Sequence, residues 1–145
     1  MRPLRLLFGT LLLGAAALVG GGAGCSMLAN SDDGPDDAVE RDVAAVDSLY
    51  APTRIAATDT LSLRLTGTVG PNGCYSFDGF DVERSGGQLT ITPVVEHRTG
   101  QMCTQAIVPL DETYAAPPPF DAGPLTVVVP QPDRPDVTAT VEVTE

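Results

Sequence analysis

From residue 61 onward, apolar and polar positions alternate with a period of two. Leu61, Leu63 and Leu65 are separated by Ser62, Arg64 and Thr66, which predicts a half-buried strand running on to Val69. Gly70-Pro71-Asn72-Gly73 then turns the chain. A second strand is expected from Cys74 to about Arg84, with Phe80 and Val82 on one face and Asp81 and Glu83 on the other. Ser85-Gly86-Gly87 reads as a hairpin turn into a strand from Gln88 to Arg98, where Leu89 and Ile91 mark the inward face and Pro93 a bulge. After the turn Thr99-Gly100-Gln101, a fifth strand is expected from Cys103 to Tyr114, carrying Ile107, Val108 and Leu110. It stops before Pro117-Pro118-Pro119, which cannot donate to a ladder and so forms a crossover or an edge. Leu125–Val129 and Val137–Val143 complete a terminal hairpin, and a weaker strand near Ser48–Ile55 is broken by Pro52. The total is about seven strands, the pattern of an all-β sandwich, and no helical period of comparable length competes.

The N-terminal end has a different pattern. Arg2 and Arg5 precede an apolar run from Leu6 to Val19, which gives way to the small residues Gly20 to Gly24. This is the charged, apolar, small-residue order of a secretory signal, although the apolar stretch also approaches the ~20 residues of a membrane-spanning helix. From Ser26 to about Asp42 the chain holds six acids and little to bury, a composition that predicts a self-repelling spacer. Asp32, Asp33, Asp36 and Asp37 lack the alternating ligand positions and terminal Glu of a calcium loop. The expected organisation is a signal peptide over 1–24, a tether over 25–43 and one sandwich domain over 44–145.

Composition narrows the classes. Gly (15) and Pro (13) punctuate the chain, the formal charge is −11, and there is no lysine. Such a surface repels phosphate backbones, so no nucleic-acid partner is expected. It also stays soluble in strong salt, which suits a saline habitat as well as an ordinary acidic envelope protein.

The stretch Gly22-Ala23-Gly24-Cys25 resembles the lipobox of bacterial lipoproteins. That resemblance implies acylation of Cys25 as the first mature residue and a membrane partner reached through the lipid. Ser26 in place of Asp after the cysteine implies the outer membrane, and hence a location in the cell envelope. The stretch departs from the usual pattern at Gly22, where Leu or Val is commoner, which leaves cleavage by an ordinary signal peptidase as the alternative. The strand count and connection lengths resemble an immunoglobulin-like sandwich in architecture alone, because the chain has no Trp and lacks the cross-sheet cysteine pair of antibody domains.

With Cys25 assigned to lipid, Cys74 and Cys103 remain, an even count in an exported protein. A hairpin about Gly86 places Cys74 opposite the neighbourhood of Arg98, and Cys103 follows after a four-residue turn at the same end. Their bridge would close a loop of about 30 residues and stabilise by roughly 3.5 kcal/mol in the chain-entropy account. No C-x-x-C argues for a redox role.

Catalytic chemistry has little to work with, and no enzyme is expected. His97 is the only histidine, it lies between Glu96 and Arg98, and no Gly-x-Ser-x-Gly elbow is present. One histidine and two bridged cysteines cannot build a usual zinc site; no metal or cofactor is expected, with a calcium ion on loop carboxylates as the alternative. Asp78 with Asp81, or Asp111 with Glu112, could pair as glycosidase carboxylates, but no aromatic groove accompanies them. Gly73 to Phe80 gathers Tyr75, Phe77 and Phe80 beside the expected bridge. Tyr75 and Phe77 are the candidate partner-binding residues, and sealing the end of the sandwich is the competing role for the same rings. The expectation is a non-enzymatic binding or structural module on a lipid anchor, which looks like the many small lipoproteins of bacterial envelopes. The alternative is a protease inhibitor: immunoglobulin-like bacterial inhibitors insert end loops into cysteine-protease clefts. Their Asn-Pro-Thr-Thr-Gly motif is absent here, and only the Gly70–Gly73 turn is distantly similar.

Overall fold

The computed structural model describes residues 38–145. The signal segment, Cys25 and the spacer up to Asp37 lie outside the described residues. Among the described residues nine strands form two sheets, so the domain is the expected all-β sandwich. β1 (Val39–Val43), β5 (Tyr75–Ser85), β6 (Gln88–Arg98), β8 (Gly123–Val129), β9 (Val137–Thr144) and the short β3 (Arg54–Ala56) make the larger sheet. β2 (Ala45–Tyr50), β4 (Leu61–Gly70) and β7 (Val108–Ala116) make the smaller one, in the order β2-β4-β7.

The alternating residues do what their period requires. Leu61, Leu63 and Leu65 are fully buried from the smaller sheet, and Leu89, Ile91, Val127, Val129, Val141 and Val143 meet them from the larger one. Arg64 and Glu142 stand outward between them. Among the described residues no polar or charged residue is buried, so cohesion within the core is a matter of apolar area and packing. The β5–β6 hairpin turns on Gly86 and Gly87, with Ser85 opposite Gln88 and Gly86 at φ +56°. This is the glycine-rich two-residue loop that the strand twist favours.

Four expectations are corrected. There are nine strands rather than about seven, because the segment read as one broken strand over Ser48–Ile55 is two strands in different sheets. The chain leaves the smaller sheet at residues 51–53, where Pro52 can donate to neither ladder. The sandwich also begins before residue 44. Val39–Val43 is strand β1, antiparallel to the C-terminal half of β6 with Val39 opposite Arg98. Its polar composition reads as spacer because four of its five residues are exposed.

The bulge expected at Pro93 lies instead on the facing strand, between Phe77 and Gly79. Pro93 occupies the place where the far side of β6 changes partner from β8 to β1. Its carbonyl accepts from the Ala44 N–H at 2.9 Å, and its missing donor falls in the gap. Finally, the fifth strand starts at Val108, not Cys103. The stretch before it is held to the Gly70–Gly73 turn.

Candidate functional site

One end of the sandwich gathers the end of β4, the start of β5, the end of β6 and the loop over residues 99–107 that leads into β7. The Gly70–Gly73 turn is locked locally: the Asn72 side chain accepts from the Cys74 N–H at 3.0 Å, and the Asn72 carbonyl accepts from Tyr75 N–H at 3.3 Å. The 99–107 loop is clipped onto this turn twice. Cys74 and Cys103 form the expected disulfide, with Cα atoms 5.3 Å apart. Beside it, the Gly73 N–H donates to the Thr104 carbonyl at 2.9 Å. Residues 103 and 104 therefore spend their pairing on the turn, which is why the β4–β7 ladder starts only at Gly70 and Val108.

Tyr75 and Phe77 stand on the expected second strand, where they seal the end of the sandwich rather than project from it. Both are in β5, half-buried on its core-facing side and packed against the core. The bulge at residue 78 makes this possible, because it restores the inward phase so that Phe77 and Phe80 share a face and meet edge to face at 5.0 Å. Tyr75 is directly opposite His97, and the two rings stack at 4.1 Å with planes 3° apart. Across β6, Glu40 of β1 is the other neighbour of His97, its carboxylate 3.7 Å from Nδ1. The only histidine is thus committed to a ring stack and a facing carboxylate.

Two of the four carboxylates singled out from sequence are also engaged. Asp78, the bulged residue, is paired with Arg41 across β6. Asp111 accepts both Nε and an Nη of Arg64, each at 2.7 Å. Those hydrogen bonds hold the Asp111 carboxyl below its ordinary value and raise the Arg64 guanidinium, with desolvation opposing both shifts. Glu112 points to the other side of β7, toward the core, so the pair Asp111 and Glu112 does not converge. Among the described residues no three His, Cys, Asp or Glu side chains gather as metal ligands. A shallow cleft at the opposite end runs past Arg84, Gly86, Phe120 and Leu125. There the Arg84 guanidinium donates to the carbonyls of Pro117 and Pro119 and lies 4.5 Å over the Phe120 ring, so its donors serve the proline crossover.

Residues 63–143 match the family model described as the ORF11 beta-sandwich domain. The chain belongs to the ORF11 beta-sandwich domain family. Neither a curated protein nor a solved structure matches it. The family region runs from within β4 to within β9 and contains both bridged cysteines, the bulge and the 99–107 loop. The first three strands precede it.

Sequence reasoning missed the most exposed apolar groups of this ORF11 domain. Met102 is fully exposed and Ile107 is 72% exposed, both in the 99–107 loop, and Val39 at the same end is 51% exposed. Ile107 reads as a strand residue because Val108 and Leu110 follow it; the strand starts only at Val108, and alternation with the inward Leu110 leaves residue 107 on the outward side. A signal was present in the charge pattern. No charged residue occurs from Leu65 to Phe77 or from Thr99 to Leu110, and these two runs are the ones that build this end.

Proposed function

We propose that this ORF11-family protein is an envelope lipoprotein, lipid-anchored through Cys25 and most consistent with the outer membrane, whose sandwich serves as a non-enzymatic binding or structural module. The observation that carries the reading is the order of the first 25 residues, cations, apolar run, small residues and then cysteine. The Cys74–Cys103 bridge supports it, because disulfides persist outside the reducing cytoplasm. The non-enzymatic part is supported by how the ionisable candidates are used. His97 is stacked on Tyr75, Asp78 is paired with Arg41, and Asp111 with Arg64.

The test is a substitution at the anchor. Wild-type protein should fractionate with membranes, and Cys25→Ser should move it to the soluble extracytoplasmic fraction with the disulfide intact. Membrane association unchanged by Cys25→Ser, or a wild-type protein found in the cytosol with free thiols, would overturn the reading.

A further inference from the structure

The disulfide end of the sandwich has three properties that coincide. It displays Met102, Ile107 and Val39 to solvent. It is built from two uncharged runs, residues 65–77 and 99–110, in a chain of net charge −11. It is also where the sandwich begins. The Ala38 carbonyl accepts from both the N–H and the hydroxyl of Thr99, at 2.9 and 3.1 Å, so the entry of the chain is fastened to the base of the loop that carries Met102.

We propose that this end is a lipid-contacting tip, with Met102 and Ile107 entering the headgroup–acyl boundary of the membrane that holds Cys25. The proposal rests on the lipoprotein reading of the N-terminal segment and adds an orientation to it. Twelve residues separate Cys25 from Ala38, and a chain of that length spans at most ~43 Å when fully extended. The end that the anchor reaches most directly is therefore the one to which Ala38 is fastened. Within its two runs the tip presents no carboxylate. Beside it stands Glu40, which follows Val39 and faces His97, so the apolar side chains rather than charge carry the contact, and a leaflet rich in zwitterionic lipid suits it. The charged residue preceding the loop is a cation, Arg98, whose sign suits a phosphate headgroup. The bridge and the Gly73–Thr104 hydrogen bond hold the loop in shape beforehand, so insertion need not order it. Exposed Met and Ile within an uncharged loop suit an acyl boundary, where they leave water without desolvating a charge of their own run.

The chain contains no tryptophan, so a single introduced indole reports its own depth. The protein purified from its host's membranes, whole from its mature N-terminus, is reconstituted into phosphatidylethanolamine–phosphatidylglycerol vesicles with brominated acyl chains, carrying either Met102→Trp or, at the far end, Thr58→Trp. The expected result is loss of most of the Met102→Trp emission with Thr58→Trp unchanged. Ile107→Trp serves as a second reporter if Met102→Trp fails to fold with its disulfide closed. Anchored protein in which neither tip reporter is quenched would overturn the tip while leaving the lipoprotein reading standing. Protein that floats away from vesicles, with no acyl mass on Cys25, would overturn both.

Discussion

Gly70 shows how closely the disulfide end is packed. A Cβ built there would lie 2.1 Å from Cγ of Tyr75, so the ring that stacks on His97 fits only because residue 70 has no side chain. Gly70→Ala should push Tyr75 off the histidine and cost about 1–3 kcal/mol, the range of core overpacking. Denaturant unfolding checks the stability, and a shifted His97 ring resonance checks the stack. At Gly79 the need is conformational: its φ of +143° closes the bulge that turns Phe77 and Phe80 to the same face. Neither requirement is visible as periodicity, and the bulge is what lets Tyr75, Phe77 and Phe80 all lie against the core, the end-sealing role the sequence also offered for these rings. Asp111 offers a pH test. Its folded pKa is held below the ordinary carboxylate value by Arg64, so its contribution to stability is present above that value and fades as pH falls through the depressed one. The stability difference between wild type and Asp111→Asn should therefore be constant from neutral pH down to about 4 and shrink below it. Parallel unfolding curves across that range measure it.

Among elements, the long strands of the hairpins were legible because their turns and alternation agree. Gln88–Arg98 runs between the same residues as expected, and the start of β4 and the span of β9 differ by at most one residue. The short strands were not legible, since β1 and β3 bury too little to leave a pattern and owe their place to β6 and β9. The start of β7 was hidden by a tertiary clip. Edges of the smaller sheet carry their own safeguards. β2 is bulged between Val46 and Ser48, and β7 places Glu112 opposite Leu65 on the core-facing side, half-buried. An inward charge on an edge strand discourages pairing with another chain. Glu112→Val should stabilise the monomer by about 1 kcal/mol through added apolar burial, and it should introduce concentration-dependent association detectable by light scattering.

At the scale of the molecule, charge sets the conditions under which the sandwich is firmest. Residues 38–145 hold fifteen acids against six arginines, and this excess repels itself in dilute buffer. Raising salt from ~0.01 M to ~1 M shortens the screening length from about 30 to about 3 Å, so the melting temperature should climb by several degrees. A flat or falling trend in calorimetry would contradict the account. The fold class and the bridge followed from sequence because a period of two and an even cysteine pair are local and additive signals. The exposed tip did not, because it arises only when two distant uncharged runs meet. Export, acylation at Cys25 and oxidation of Cys74 and Cys103, the proposed history of the chain, each leave a mark on its mass. Intact-mass spectrometry of the protein extracted from its native membranes measures all three at once. The account predicts a chain beginning at Cys25, heavier by its acyl groups and lighter by the hydrogens of one disulfide. A mass corresponding to Met1–Glu145 with every thiol free would contradict it.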